Sequence, residues 1–303
     1  VSKLKSTPIS TRMPRGAAAR RRDWSHGRGS VYTEVPPITD TNIEEIGFYS
    51  VVEPYSYIQA TYNRATSEFI MRVIEPILKE DEEELLTLFK ETLEKTLDYE
   101  WEKLAVMDKR TYLEKSVESF IKSRGMSIEP ISKDKITYFL ARDFVGFGPI
   151  DALIDDTHIE DISCDGVGIP LFVFHSKFES IKTNIIFEDE ATLNSFVINL
   201  GQRCGKQLSV SNPILDGTTP EGHRVQATYA REVTTRGASF TIRRFKEKPF
   251  TPVELIKYGT ASPDIVAYMW LSVEHGESAI ICGGTASGKT ATLNAIALFM
   301  PPG

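Results

Sequence analysis

The spacing of hydrophobic and polar positions changes along this chain. Between Val31 and Leu78 the sequence is rich in Tyr, Val, Ile and Thr, and prolines interrupt it several times. Short runs of β-branched and aromatic residues between turn residues are typical of strands. We therefore predict strands of a small sheet at Ile46–Val52, Tyr55–Tyr62 and Phe69–Ile74.

A helical pattern follows this strand-rich stretch. From Glu80 to Leu104 apolar residues recur every three or four positions, which is the spacing of an amphipathic helix. Four acidic residues, Asp81 to Glu84, stand in the first turn, where the helix dipole favours negative charge. We interpret them as a solvated helix start rather than a metal site. Further helices are predicted over Arg110–Lys122 and Lys133–Val145.

After Pro149 the chain mixes strand and helix patterns. Strands are predicted at Leu171–Phe174, Val225–Tyr229 and Ser239–Phe245, and helices at Glu188–Arg203, Pro252–Tyr258 and Pro263–His275. The apolar run Ser278–Cys282 predicts a buried strand. Thr290–Met300 predicts a helix that Pro301 stops.

A phosphate-binding pattern lies between that last strand and helix. It fits G-x-x-x-x-G-K-[ST] at each fixed position, and its residues are Gly283, Gly284, Thr285, Ala286, Ser287, Gly288, Lys289 and Thr290. Glycines let the backbone N–H groups turn toward a phosphate, and the helix N-terminus adds partial positive charge. Lys289 would reach the β- and γ-phosphates, and the Thr290 hydroxyl would ligate Mg²⁺.

The alternative to nucleotide binding is a chance match to the pattern. The predicted strand–loop–helix context is what the motif requires, so we favour a genuine site that binds ATP with Mg²⁺.

Composition and charge limit the function classes. The chain has 303 residues, which suggests about two domains, and 41% hydrophobic with 25% charged residues is ordinary for a soluble globular protein. The net charge of −7 does not favour general nucleic-acid binding. The first 30 residues carry eight Lys and Arg against one acid, Asp23. We interpret residues 1–30 as a disordered basic tail, with contact to anionic lipid or RNA as the alternative.

Cysteines and histidines give no sign of a metal site in the sequence alone. The three cysteines form no C-x-x-C pair, which favours a reducing compartment, and the five histidines show no metal-ligand spacing. No apolar run approaches the roughly 18 residues of a membrane span, and no secretory signal is present. We therefore expect a cytosolic protein.

Five separated motifs resemble one family. They are Gly146–Asp156, Ile159–Ile162, Asn212–Gly217 with Gly222–Gln226, Phe240–Phe245, and Gly283–Thr290. In this order they resemble the type II/type IV secretion ATPase superfamily. The N-terminal helices and the loop sequence are most similar to its archaeal branch, whose members drive archaeal pili and the archaellum.

The resemblance implies a fold class of α/β and α+β, with an N-terminal α+β domain followed by the beginning of a RecA-like P-loop ATPase domain. The divisions it implies are a tail at 1–30, a strand-plus-helical region at 31–145, the α+β domain at 146–245, a linker at 246–250 and the ATPase start at 251–303. It further implies a hexameric ring that works on an integral-membrane platform protein at the inner face of the cell membrane. From the acidic charge we expect no specific nucleic acid partner.

Three arginines are candidate nucleotide-binding residues, because a guanidinium can donate paired hydrogen bonds to triphosphate oxygens. By the family analogy, Arg224 is a catalytic candidate as an arginine finger, and Arg243 lines the nucleotide pocket. Arg244 is a weaker candidate. The alternative is a surface arginine or an ion pair to Asp216 or Glu221.

The resemblance also implies acidic and histidine-containing segments and further parallel strands after the loop, which these 303 residues do not contain. We therefore expect the chain alone not to hydrolyse ATP, since phosphoryl transfer also needs a positioned water. Two alternatives remain open: a non-catalytic assembly module of such a ring, and a RecA-type DNA motor, which the acidic body disfavours.

Overall fold

The computed structural model describes residues 30–96, 106–245, 250–284 and 287–301. The chain divides into two compact units, Val1–Leu193 and Asn194–Gly303. The predicted basic tail, most of the predicted linker, and Thr285 with Ala286 lie outside the described residues. The domain divisions expected from the resemblance stay predictions.

The sheet of the first unit is built from six strands. Three form consecutive antiparallel hairpins, β1 (Ile43–Val52), β2 (Ser56–Asn63) and β3 (Glu68–Ile74). Then come β4 (Ile159–Cys164), β5 (Pro170–His175) and β6 (Glu179–Ile186), also antiparallel to one another. The order is β1-β2-β3-β6-β5-β4, and β3 pairs with β6 in parallel. The three strands predicted before Leu78 are thereby confirmed.

The first unit also contains a helical cluster. It consists of α1 (Glu80–Thr96), α2 (Val106–Arg124) and α3 (Pro130–Phe144). Their apolar stripes meet in one core, which includes Phe89, Leu113 and Leu140, each at most 1% exposed. The amphipathic spacing therefore predicted these helices, although the C-terminal part of the predicted Glu80–Leu104 helix lies outside the described residues.

The acidic first turn of α1 is not entirely solvated. Glu82 is 2% exposed, and its carboxylate accepts hydrogen bonds from the Ser132 hydroxyl at 2.6 Å and the Lys79 N–H at 2.8 Å. Lys135 Nζ lies 3.5 Å from it. The expectation of a fully solvated run was wrong at this position, because Glu82 faces α3 and joins α1 to it.

A tight turn joins the helical cluster to the rest of the first unit. It runs through the short 3₁₀ turn Gly148–Ile150 into α4 (Asp151–Asp155). The buried Asp151 carboxylate accepts the Phe147 N–H at 2.7 Å, and a Cβ at Gly146 would collide with that carboxylate. Packing therefore requires glycine at position 146, within the first of the motifs quoted above.

The second unit combines helices with a three-stranded antiparallel sheet. The strands β7 (Ile214–Thr218), β8 (Arg224–Thr228) and β9 (Ser239–Arg243) pair in the order β9-β8-β7. The unit boundary falls within α5 (Glu190–Arg203). Then come α6 (Pro252–Lys257), α7 (Pro263–Glu274) and α8 (Lys289–Ala297), and both α6 and α7 contact α8.

The predicted strand Ser278–Cys282 was wrong. These residues form no strand, and Ile280 is 90% exposed. A strand is stable only when neighbouring strands satisfy its backbone N–H and C=O groups, and no strand of the described residues pairs with this segment.

The mixed α/β fold class is confirmed, because both units combine helices with sheet. The sequence analysis did not predict β4, β6 or β7, each of which has at most two consecutive apolar residues. Among the helices of the described residues, none is both long enough and apolar enough to cross a membrane.

The buried Glu82 carboxylate should stabilise the fold in a pH-dependent way. Burial alone would raise the pKa of Glu82, but the Ser132 hydroxyl, the Lys79 N–H and the Lys135 ammonium lower it overall. Because the folded pKa lies below the unfolded value of about 4.3, this stabilisation is present above that pH and is lost as pH falls through the folded pKa. We expect Glu82→Gln to reduce the free energy of unfolding by about 1–3 kcal/mol at pH 7.

Urea unfolding at pH 7 and near pH 3 would measure this difference, which should shrink on acidification. Glu84→Gln is the matched control, since Glu84 is exposed on the same turn. An equal loss in both variants, or a Glu82→Gln loss that persists at low pH, would contradict the assignment.

Candidate functional site

The loop before α8 has a backbone conformation that requires glycine at its end. Gly288 is the N-cap of α8, with φ 80° and ψ 16° in the left-handed region, and the helix begins at Lys289. A side chain at φ near +80° would be strained. The second fixed glycine of the sequence pattern is thus explained by the turn into the helix.

The first fixed glycine lies close to the other end of the loop. A Cβ at Gly283 would lie 2.5 Å from Ser287 Oγ, so the exposed Ser287 side chain would have to rotate to make room for it. The Ser287 hydroxyl donates to the Gly284 carbonyl at 2.8 Å. This hydrogen bond brings Ser287 and Gly284 together.

Lys289 folds back over this loop. Its Nζ donates a hydrogen bond to the Gly284 carbonyl, and its side chain is half-buried. Thr290, the next residue of α8, is exposed. The structure thus places six predicted site residues in one turn at the start of α8, namely Gly283, Gly284, Ser287, Gly288, Lys289 and Thr290.

The geometry of the turn suits an anion. The first N–H groups of a helix have no intrahelical acceptor and lie at its positive end. Lys289, the first residue of α8, directs its ammonium to the Gly284 carbonyl of the preceding loop. An incoming phosphate oxygen could replace the Gly284 carbonyl as the acceptor of the Lys289 ammonium.

The two predicted arginines lie opposite each other in the second unit. Arg224 on β8 is the register partner of Arg243 on β9, and directly opposed residues share one face of a sheet. Both side chains are exposed. Their proposed roles at a nucleotide stay predictions.

Arg224 already has an acidic neighbour on the adjacent strand. Its Nε lies 3.4 Å from Asp216 Oδ1 and its Nη2 3.3 Å from Oδ2. An ion pair with Asp216 is one of the alternatives to a nucleotide contact that the sequence left open for Arg224. The pair is about half exposed on each side, at 59% and 56%.

One cluster of potential metal ligands was not predicted from the spacing of residues in the sequence. The structure brings His158 and His175 together beside Asp156, with one ligand atom from each residue within 4.8 Å of the other two. His158 precedes β4 and His175 ends β5, so their meeting depends on strand pairing rather than on local spacing. The alternating polar positions at these strand ends were the only signal in the sequence.

Two sequence relatives come from Methanocaldococcus jannaschii. The uncharacterized protein MJ0900 is 44% identical over 177 residues, which are 58% of this chain and 32% of that protein. The uncharacterized protein MJ1288 is 35% identical over 204 residues, which are 67% of this chain and 78% of that protein. The match therefore spans about a third of the length of MJ0900 and most of MJ1288.

Family models and solved structures do not assign this chain further. No family model matches the chain. The VirB11 ATPase of the Brucella suis type IV secretion system is similar over 49% of this chain and 52% of its own, at 20% identity and a TM-score of 0.30. A likeness at that TM-score supports no conclusion about this chain.

The exposed Arg224–Asp216 pair should contribute little to folding. Exposed ion pairs are screened by solvent and are worth about 0.2–1 kcal/mol. We expect Arg224→Ala to lower the free energy of unfolding by less than about 1 kcal/mol, as measured by urea unfolding. Asp216→Ala should behave alike, and the double variant should show a coupling no larger than either single loss. A much larger loss would assign Arg224 a structural role and remove it as a probe of function.

Proposed function

This chain belongs to the family of the uncharacterized protein MJ1288, and we propose that it is the ATP-binding subunit of a hexameric secretion or pilus-assembly motor. Such a motor couples ATP hydrolysis to protein export or filament assembly. The five separated motifs support the motor class, and relatives in Methanocaldococcus jannaschii support its archaeal branch.

The observation that carries the proposal is the glycine-dependent turn into α8. The sequence pattern asks for glycine at position 288, and the left-handed backbone there is a physical reason for glycine that is independent of the pattern. A chance match to the pattern has no reason to place a left-handed residue at the start of a helix. The exposed Gly284, where an added Cβ would meet nothing within 4 Å, leaves room beside the loop.

The residues at this turn fit a nucleoside triphosphate. The N–H groups at the start of α8 and the Lys289 ammonium would hold phosphate oxygens, and the Thr290 hydroxyl would hold Mg²⁺. When bound, Mg²⁺ supplies charge neutralisation on the phosphates. The role of the chain's own groups is to bind and orient, since a lysine charge and preorganised N–H donors need no rearrangement of solvent.

The remaining parts of the proposal concern the assembly. We infer that six copies form a ring at the inner face of the cell membrane and act on an integral-membrane platform protein. Arg224 would act as an arginine finger and Arg243 as a pocket residue, both from the exposed face of the β7–β9 sheet. The first unit, with its acidic helix α1, would offer a surface to partners.

Replacing the loop lysine should abolish most nucleotide binding. Lys289→Ala removes a charge-assisted hydrogen bond worth about 1.5–3 kcal/mol, so we expect about a 10- to 150-fold weaker Kd for Mg-ATP. Titration with a fluorescent ATP analogue, followed by displacement with ATP, measures the change.

Lys257→Ala is the matched control, because Lys257 is an exposed lysine on α6 of the same unit. It should bind like the unmodified chain. Equal Mg-ATP binding by the unmodified chain and Lys289→Ala would show that Lys289 of the phosphate loop does not hold the nucleotide. Sedimentation in the same buffer, with and without Mg-ATP, would test ring formation.

A further inference from the structure

Four side chains of the first unit form a polar cluster that the motor proposal does not use. Asp156 follows α4, His158 stands just before β4, and His175 ends β5. Tyr49 reaches the same place from β1. Asp156 and His175 are each 2% exposed, whereas the His158 side chain is 42% exposed. The cluster is therefore an interior group of polar atoms with one member at the surface.

The Asp156 carboxylate is at the centre of the contacts. Its Oδ1 lies 3.0 Å from His158 Nδ1, and its Oδ2 accepts the Tyr49 hydroxyl at 2.6 Å. The Tyr49 oxygen is 3.5 Å from His175 Nε2, which brings that nitrogen toward the carboxylate. The two imidazole rings stack, with centroids 5.5 Å apart and 15° between their planes.

Both imidazoles therefore face a buried anion across a short gap. One ligand atom of Asp156, His158 and His175 lies within 4.8 Å of each of the others. Bonds of about 2.0–2.2 Å to one ion place tetrahedral ligand atoms somewhat closer than this. Small rotations of the side chains, His158 being the most exposed, would bring the three atoms into range.

Tyr49 and the His158 backbone fix the orientation of the carboxylate. The Tyr49 hydroxyl donates to Asp156 Oδ2 at 2.6 Å, and the His158 N–H donates to Oδ1 at 2.9 Å. Oδ1 is therefore the carboxylate oxygen on the side of His158.

We propose that Asp156, His158 and His175 form a binding site for a divalent transition-metal ion, with Tyr49 as the residue that orients the carboxylate. Two imidazoles and one carboxylate are ligands that suit Zn²⁺ and its neighbours, whereas Mg²⁺ and Ca²⁺ prefer oxygen-only sites. The site is separate in sequence from the phosphate loop and does not depend on nucleotide.

One hydrogen bond must change when the ion binds. The Lys177 N–H donates to His175 Nδ1 at 3.0 Å, so the neutral ring carries its proton on Nε2. Coordination through Nε2 requires the other neutral tautomer, so the single ring proton moves from Nε2 to Nδ1, and the Lys177 N–H loses its acceptor and is released to solvent. Lys177 lies in the exposed turn between β5 and β6, where its N–H is readily solvated.

The location gives the ion a structural role. Its ligands come from the α4–β4 connection and the end of β5, and Tyr49 adds β1. An ion that binds the folded state but not the unfolded chain raises stability by mass action. We therefore assign the site to stabilisation of the first unit rather than to catalysis.

Cobalt(II) is the probe, because its visible ligand-field absorption reports coordination directly. We expect the nucleotide-free chain to bind one Co²⁺ with a visible absorption band that Zn²⁺ displaces, without the thiolate charge-transfer band of a cysteine site. His158→Ala should weaken Co²⁺ binding at least about 100-fold, and Tyr49→Phe about tenfold as the loss of an orienting partner. Excess Zn²⁺ should raise the thermal unfolding midpoint of the unmodified chain but not that of His158→Ala.

His158→Ala is chosen because its side chain is partly exposed, and circular dichroism without metal would verify that it folds. His275→Ala is the matched control, a histidine on the exposed end of α7 in the other unit. It should keep the absorption band and the Zn²⁺-dependent stabilisation. Absence of the band in the unmodified chain would overturn the proposal. So would a band unchanged in His158→Ala, or one weakened equally in His275→Ala.

Discussion

Each strand needs a hydrogen-bonded neighbour, and this requirement determines which segments of the chain form sheet. Backbone N–H and C=O groups that leave water must find partners, and a strand finds them only in an adjacent strand. The hairpins β1–β3 and β4–β6 meet this need antiparallel to their neighbours in sequence, and β3 joins β6 in parallel. Ser278–Cys282 is also apolar but has no such neighbour among the described residues, and it forms no strand and is mostly exposed.

The same constraint explains which elements the sequence predicted. Helices satisfy their backbone groups internally, so their periodicity is sufficient, and α1, α2 and α3 appear close to the expected positions. Strands of the N-terminal hairpins were also predictable because turn residues separate them. By contrast, β4 and β6 depend on partners elsewhere in the chain, and neither alternates strongly enough to be recognised alone.

The candidate phosphate loop was predictable because its determinants are local. The left-handed Gly288, the close approach at Gly283 and the start of α8 all lie within a few residues of one another. The arginines were predictable only as candidates, since their placement opposite each other depends on the register of β8 and β9. The cluster of Asp156, His158 and His175 depends on a register too, and no local spacing reveals it. The buried Glu82 is a similar case, because its partners Ser132 and Lys135 come from α3.

Different contacts hold the phosphate loop and connect it to the rest of the second unit. The loop forms its turn with contacts of its own, and the Gly284 carbonyl accepts both the Ser287 hydroxyl and the Lys289 ammonium. A phosphate that entered would compete with that carbonyl for the lysine, so binding exchanges one acceptor for a stronger, charged one. Local contacts can therefore form the cradle, whereas transmitting a change at the phosphate requires a sheet under the loop. The preceding segment 278–282 forms no strand among the described residues, so in this structure the loop is joined to α6 and α7 through the contacts of α8.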